Sequence, residues 1–315
     1  MPTTRFPSAG IIHISNADGG TTQLTFTESG LLQKLQNPLG ESLLFDYNAK
    51  NELIKITAPG NLITQFAYDE RGRLTKEIDP LNQVVEYSYA GSLPYPSAVR
   101  DQNGRKTEYV YNGYGELVKV VQPDGAALLY ERGLSGEVLK VTEPSGDTFQ
   151  FQYDAIGNLT RKTFQDGTSQ QFTYRADGLL ASIIDAKGTI TFEYDSANRV
   201  QKITHPNQRF ISYSYDSSGR RSSLSTQNGQ SVNYAYDAQG RLSKLTDKNG
   251  LLQVAYSYDA DGRLSKETNG NGAYTTYGYN LAEQLSSITN YSASGAINSF
   301  TNYTYDALGR QTGVT

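Results

Sequence analysis

Residues 234–242 read YAYDAQGRL, and residues 256–264 read YSYDADGRL. A third copy, FAYDERGRL, spans residues 66–74. The unit is aromatic-x-Tyr-Asp-x-x-Gly-Arg-Leu. Its strongest copies are Tyr68-Asp69 with Gly72-Arg73, Tyr215-Asp216 with Gly219-Arg220, Tyr236-Asp237 with Gly240-Arg241, Tyr258-Asp259 with Gly262-Arg263, and Tyr305-Asp306 with Gly309-Arg310. Tyr153-Asp154 with Gly157 keeps all but the Arg. Self-similarity at a fixed period marks a repeat architecture and overrides any reading of single segments.

The period runs outward from these copies in both directions. The key aromatic falls at Phe26, Tyr47, Tyr68, Tyr89 and Tyr111, then near Tyr130 with a two-residue offset. It returns at Tyr153, Tyr174, Tyr194, Tyr215, Tyr236, Tyr258, Tyr279 and Tyr305, fourteen positions in all. Most spacings are 20 to 22 residues, and the last is 26. Four residues after the aromatic stands Gly in ten copies, and Asn51 or Asn198 in two more. Gly and Asn accept a positive φ at least cost, so the position reports a left-handed residue closing a turn. Glu283 departs from the rule, as does the Tyr89 copy, where Gly91-Ser92-Leu93-Pro94-Tyr95-Pro96 takes the place of the turn.

A second turn falls about thirteen residues after each aromatic, as in Asp124-Gly125, Asp166-Gly167, Lys187-Gly188, Asn228-Gly229 and Asn249-Gly250. Such dipeptides are signals for type I′ hairpins, which need positive φ twice. Two turns per repeat leave two strands, so each repeat is one β-hairpin. Aromatic pairs two residues apart, such as Phe66/Tyr68, Phe151/Tyr153 and Tyr256/Tyr258, share one face of a strand. Polar residues separate them and line the other face. The spacing therefore predicts an all-β chain of about fourteen hairpins in a curved antiparallel strip. Twenty-eight strands at about 4.8 Å each make a strip of roughly 130 Å. Closed once, it would exceed what side chains can fill, because about eight strands already reach that limit. An open strip, a spiral or a hollow is expected. Residues 1–25 read as a degenerate repeat or N-terminal cap, and residues 26–315 as a single repeat domain. Loops are expected at 89–97 and, longer than usual, around Tyr291–Gly295, and no segment reads as a helix.

The repeat closely resembles the YD repeat of the Rhs family, which includes polymorphic toxins, the shells of toxin-complex proteins and animal teneurins. The resemblance runs from about Phe26 to Arg310. It implies a β-strip that spirals into a partial or complete shell. It also implies a wall that encapsulates or presents a C-terminal toxin carried by the same parent chain. The alternative is a cell-surface adhesion or carbohydrate-binding array. No toxin domain or plug is recognisable here, so the chain reads as a segment of a longer, exported or surface-held protein. The absence of cysteine-rich modules favours a bacterial source.

Composition excludes several other classes. The chain has 315 residues, 28 Lys and Arg scattered among 32 Asp and Glu, and a net charge of −4. Nucleic-acid binding needs clustered cations to displace counterions, so no nucleic-acid partner is expected. No stretch approaches the roughly 20 apolar residues of a membrane helix, and Met1–Ser15 lacks the pattern of a secretion signal. With no cysteine, thiolate metal sites and thiol nucleophiles are excluded.

The repeated Asp, four residues before Arg in six copies, invites a row of acid–base sites. A catalytic carboxylate needs a singular environment, so a group repeated in most units reads as architecture: an acceptor for turn N–H groups, beside an Arg that stacks or pairs. Asp259-Ala260-Asp261-Gly262 starts like a calcium loop and lacks its later ligands. His13 and His205 have no motif of an activated Ser near them. The tyrosines present an apolar face and a polar tip, which suits sugars as well as packing. No catalytic residue, metal site or cofactor is expected. The unpaired strand edges at the strip's ends are a route to self-association.

Overall fold

The computed structural model describes residues 10–306 and 309–315, and within them the chain forms twenty-nine β-strands and no helix. Tight turns join the strands, so sequence neighbours pair. Leu62–Tyr68 runs antiparallel to Leu53–Ala58 before it and to Leu74–Ile78 after it. The same step recurs from Ile11–Ser15 onward, and the last strand, Gln311–Val314, pairs with Ile297–Tyr305. The expected hairpin array is what forms. Residues 1–9 of the expected cap lie outside the described residues. The remainder includes a regular hairpin, Ile11–Ser15 with Thr21–Phe26.

The turns are more uniform than their sequences. In the turn after Tyr68, Asp69 N donates to Arg73 O at 2.9 Å and Gly72 N donates to Asp69 O at 3.0 Å. The second class of turn uses the same bonds, Gln122 N to Ala126 O and Gly125 N to Gln122 O. Both are type I turns closed by one left-handed residue, the three-residue hairpin loop. This corrects the type I′ expectation: Gly125 has φ 85° while Asp124 is not left-handed. Two tight turns depart from it. Gly60 and Asn61 are both left-handed, and the Ala186-Lys187 loop is two residues long, with Asp185 paired to Gly188.

Asn51 and Asn198 have φ 65° and 61°, as their place in the repeat requires. Glu283 has φ 65° as well, so it is a sequence exception and not a structural one. A left-handed non-glycine residue costs on the order of 1 kcal/mol. Glu283→Gly is expected to stabilise the protein by up to about 1 kcal/mol. An unchanged urea midpoint would mean that the Glu283 side chain offsets its backbone strain.

Most repeats carry a bulge beside the key residue. Phe66 faces Glu77 and Ala67 faces Lys76, but Tyr68 faces Leu74, leaving Thr75 as the extra residue. The same slip recurs at Tyr47, Tyr153, Tyr215 and Tyr258. Bulges increase the local right-handed twist. Register also corrects the offset near Tyr130. The slip falls between Glu131 and Arg132, so Arg132 occupies the key position and Tyr130 the aromatic position two before it. The chain does not slide; the repeat substitutes Arg for Tyr.

Alternation separates the faces as expected. In Leu62–Tyr68, Phe66 and Tyr68 are half-buried while Gln65 and Ala67 are exposed. Among the described residues only Gly20 and Ala98, the latter at 7% exposure, are buried. Stability therefore rests on the ladder and on cross-strand pairs instead of a deep core. Gly91–Pro96 forms the expected loop before the short strand Ala98–Arg100. The longer loop expected near Tyr291 is absent. Ser292 to Ala296 make the standard turn, and the extra residues lengthen Leu285–Tyr291 and Ile297–Tyr305.

The chain divides into two compact units. The first comprises Met1–Glu86, Tyr236–Leu245 and Leu251–Thr315, and the second Tyr87–Ala235 and Thr246–Gly250.

Candidate functional site

The repeated motif builds a junction between consecutive hairpins. Asp69 Oδ1 accepts from the backbone N–H of Arg71 and Arg73 at 2.9 and 3.0 Å. Its Oδ2 accepts from Arg73 Nε at 2.7 Å. Asp195, Asp216 and Asp237 repeat this with Arg199, Arg220 and Arg241, and Asp306 binds Arg310 through the same two groups. Asp154 uses Asn158 in place of Arg. Where the motif begins with Asn the polarity inverts: Asn48 Nδ2 donates to Glu52 Oε2 at 2.6 Å, and Asn112 Nδ2 to Glu116 Oε2 at 2.7 Å.

The Arg then reaches the next repeat. Its guanidinium lies over the following key ring, Arg199 over Tyr215 at 4.4 Å, Arg241 over Tyr258 at 4.3 Å and Arg263 over Tyr279 at 4.6 Å. Such cation–π contacts contribute about 0.5–1 kcal/mol at exposed sites. The hydroxyl of that ring returns the link. Tyr258 donates to Leu242 O at 2.7 Å, Tyr215 to Val200 O at 2.6 Å and Tyr68 to Leu53 O at 2.8 Å. Tyr153, Tyr174, Tyr279 and Tyr305 do the same with Val138, Leu159, Leu264 and Leu285. Registered pairing between Leu53–Ala58 and Leu62–Tyr68 stops at Lys55 and Gln65, so the hydroxyl satisfies a carbonyl beyond the ladder. Arg132, in the key position, reaches Leu117 O at 2.8 Å through Nε. Sequence reasoning assigned the rings to packing and missed this bond. The available signal was the choice of Tyr over Phe at the key position from Tyr47 onward, broken by Arg132.

Tyr258→Phe is expected to cost about 1 kcal/mol, the net value of one hydrogen bond, without changing the denaturant slope. Urea unfolding checks this. An unaltered midpoint would mean that water replaces the hydroxyl at no cost.

The same bonds set the electrostatics. Hydrogen bonds from its own turn hold the Asp69 carboxyl below the ordinary carboxylate range. For Asp195 the main cause is the Arg199 guanidinium, and for Asp154 the Asn158 amide. A depressed folded value means that the folded state binds protons less readily than the unfolded chain. The stabilisation is present above the unfolded value of about 3.9 and is lost as pH falls through the folded values. Thermal midpoints are therefore expected to be level near neutrality and to drop below about pH 4. A flat profile down to pH 2 would show that the turns do not depend on ionised Asp. Burial pushes the Tyr68 and Tyr153 hydroxyls up, which keeps them protonated as donors.

These carboxylates are engaged by turn N–H groups and side-chain donors, an arrangement suited to holding turns. Asp259, Asp261 and Asp18 converge on Arg263, whose guanidinium occupies the centre a cation would need. Among the described residues, no group of three His, Cys, Asp or Glu is placed to hold a metal ion. His13 faces Gln23 across a ladder, and His205 begins a turn by donating its N–H to Arg209 O.

The Arg263 cluster joins distant parts of the chain within the first unit. Asp18 binds Arg263, Ala17 N donates to Asp261 Oδ1, and Asn16 Nδ2 donates to Leu281 O at 3.4 Å. A second-class turn from the first hairpin thus meets key-residue turns from late repeats, edge to edge.

Hairpins locked turn to ring in this way define a YD-repeat β-strip. The family model described as the teneurin YD-shell matches residues 14–142 and 135–312, and the chain belongs to that family. It is 27% identical over 133 residues to the double-stranded DNA deaminase toxin A of Burkholderia cenocepacia (strain H111), covering 41% of this chain and 9% of that protein. It is 27% identical over 124 residues to Teneurin-m of Drosophila melanogaster, covering 36% of this chain and 4% of that one. Among solved structures, TcdB2-TccC3 without its hypervariable C-terminal region superposes with a TM-score of 0.78 at 17% identity, over 96% of this chain and 19% of that one. The Photorhabdus luminescens Tc holotoxin pore carrying a TccC3 mutation gives 0.70 at 16% identity, over 93% and 20%. These structures share the fold. The chain spans under a tenth of these curated relatives and about a fifth of the solved chains.

Proposed function

We propose that this chain is a wall segment of a YD-repeat shell that encloses or presents a toxin carried by the same parent polypeptide. The observation that carries the reading is the edge-to-edge contact of Asp18, Ala17 and Asn16 with Arg263, Asp261 and Leu281. A strip that seats one course of turns on another makes a wall; a strip with both edges free makes only a ribbon. The named relatives support the cargo, since one is a deaminase toxin and another a "Probable deoxyribonuclease RhsB" of Dickeya dadantii (strain 3937). This chain matches 9% and 5% of them, so we assign such activities to other parts of a parent chain. The segment itself acts sterically and is not an enzyme. We extend the reading to an exported or surface-held parent of bacterial origin, as two of these relatives are bacterial. Engaged tyrosine hydroxyls leave less reason to assign the aromatic face to glycans.

Protease protection in the full parent protein tests the reading. The expected result is that cargo sequence survives while the wall is intact and is cut once the wall is opened by denaturant. Equal cleavage in both states, or saturable binding of this segment to a sugar panel, would replace the shell by a surface array.

A further inference from the structure

The two turn edges of the second unit complement each other. One edge holds the turns at 112–116, 133–137 and 154–158. Their tips, Tyr114, Leu134 and Ile156, are 89%, 106% and 81% exposed. Three successive apolar tips in water are an unusual surface for a monomer. In these turns the Arg of the good copies is replaced by Glu116, Glu137 and Asn158. Glu116 binds Asn112 and Glu137 accepts from Ser135 N, so neither carboxylate has a cation of its own. This stretch of three turns is apolar and acidic.

The opposite edge holds the turns at 185–188, 205–208 and 226–229. The two-residue loop at Ala186-Lys187 is shorter than its neighbours and leaves a cleft of about 550 Å³. Lys187, His205, Pro206, Arg209, Phe210 and Ile211 line it, and no carboxylate does. Among the described residues, Lys187 and Arg209 make no ion pair, in contrast to the Arg of the good copies. This cleft is apolar and basic.

The first unit shows that turns of these two classes seat on each other, with Asp18 of one class bound to Arg263 of the other. The pitch matches as well, since both rows advance by two strands per turn, about 9.6 Å. We propose that the basic cleft at 187–228 receives the acidic, apolar row 114–156 of a second copy of this chain. The contact is heterologous, head to tail, so it builds rings or open chains of copies. It uses the turn edges, not the strand edges at the strip's ends, and does not depend on any cargo.

Sedimentation velocity over a range of concentrations tests this. The wild-type chain is expected to associate reversibly and less strongly at high salt. Lys187→Glu/Arg209→Glu and Glu116→Lys/Glu137→Lys are each expected to weaken association at least about tenfold. A mixture of the two charge-reversed proteins is expected to associate again, because the acidic cleft of one meets the basic row of the other. That recovery also shows that both variants are folded. A wild-type chain that stays monomeric at every concentration overturns the proposal. So does association that survives the reversals, which would assign it to strand edges, or a mixture that fails to recover.

Discussion

Gly188→Val is expected to lower the unfolding free energy by about 3 kcal/mol, combining backbone strain with overpacking. Gly188 has φ 121°, beyond the left-handed well that Asn or Glu can enter elsewhere in this chain. A Cβ built there would lie 2.6 Å from Pro206 Cβ in the neighbouring turn. The two-residue loop between Asp185 and Gly188 requires this backbone, and the 20-residue spacing from Tyr174 to Tyr194 reflects the shorter turn. Urea unfolding measures the loss. Hydrogen exchange should show it first in Leu180–Asp185 and Gly188–Tyr194. If Gly188→Val unfolds at the wild-type midpoint, the hairpin does not use this turn in solution, and the cleft beside Pro206 loses its structural cause.

Arg263→Ala is expected to cost about 2 kcal/mol or more, because it leaves three carboxylates facing one another. Arg263 is 16% exposed, and its guanidinium serves Asp259, Asp261 and Asp18 while stacking on Tyr279. Removing one member of a paired and largely covered group costs more than the pair contributes, since Asp259 and Asp261, 20% and 10% exposed, stay largely desolvated. Arg310→Ala provides the contrast. Arg310 is 66% exposed beside Asp306, so the expected loss is under about 1 kcal/mol. Thermal unfolding compares the two. Exchange in Ile11–Ser15 and Thr21–Phe26 should rise in Arg263→Ala alone, since Asp18 anchors that hairpin's turn. Equal small losses would make the edge contact an ordinary surface ion pair and would remove the main support for a wall.

The motif's geometry explains why so much was legible in sequence. A left-handed turn residue is a local demand, met by Gly72, Gly240 or Asn51 regardless of what lies beyond the hairpin. Facing is local too, because residues two apart share a side of a strand. Phe66/Tyr68 and Gln65/Ala67 separate on that rule alone. The type I′ expectation failed because Asp-Gly suits two turn types, and the loop length, set by pairing, selected the other. Tyr130 misled for a related reason: an aromatic at the right spacing concealed that Arg132 held the key register.

The hairpin count, the turn positions, the two faces and the family resemblance were thus determined by the sequence itself, because each depends on residues within about one repeat. The hydroxyl bond from Tyr258 to Leu242, the pairing of Asp18 with Arg263 across 245 positions and the cleft beside Pro206 were decided only by the tertiary structure. They depend on how twist and bulges accumulate from hairpin to hairpin, and hence on which turn tips arrive together. No single repeat contains that information.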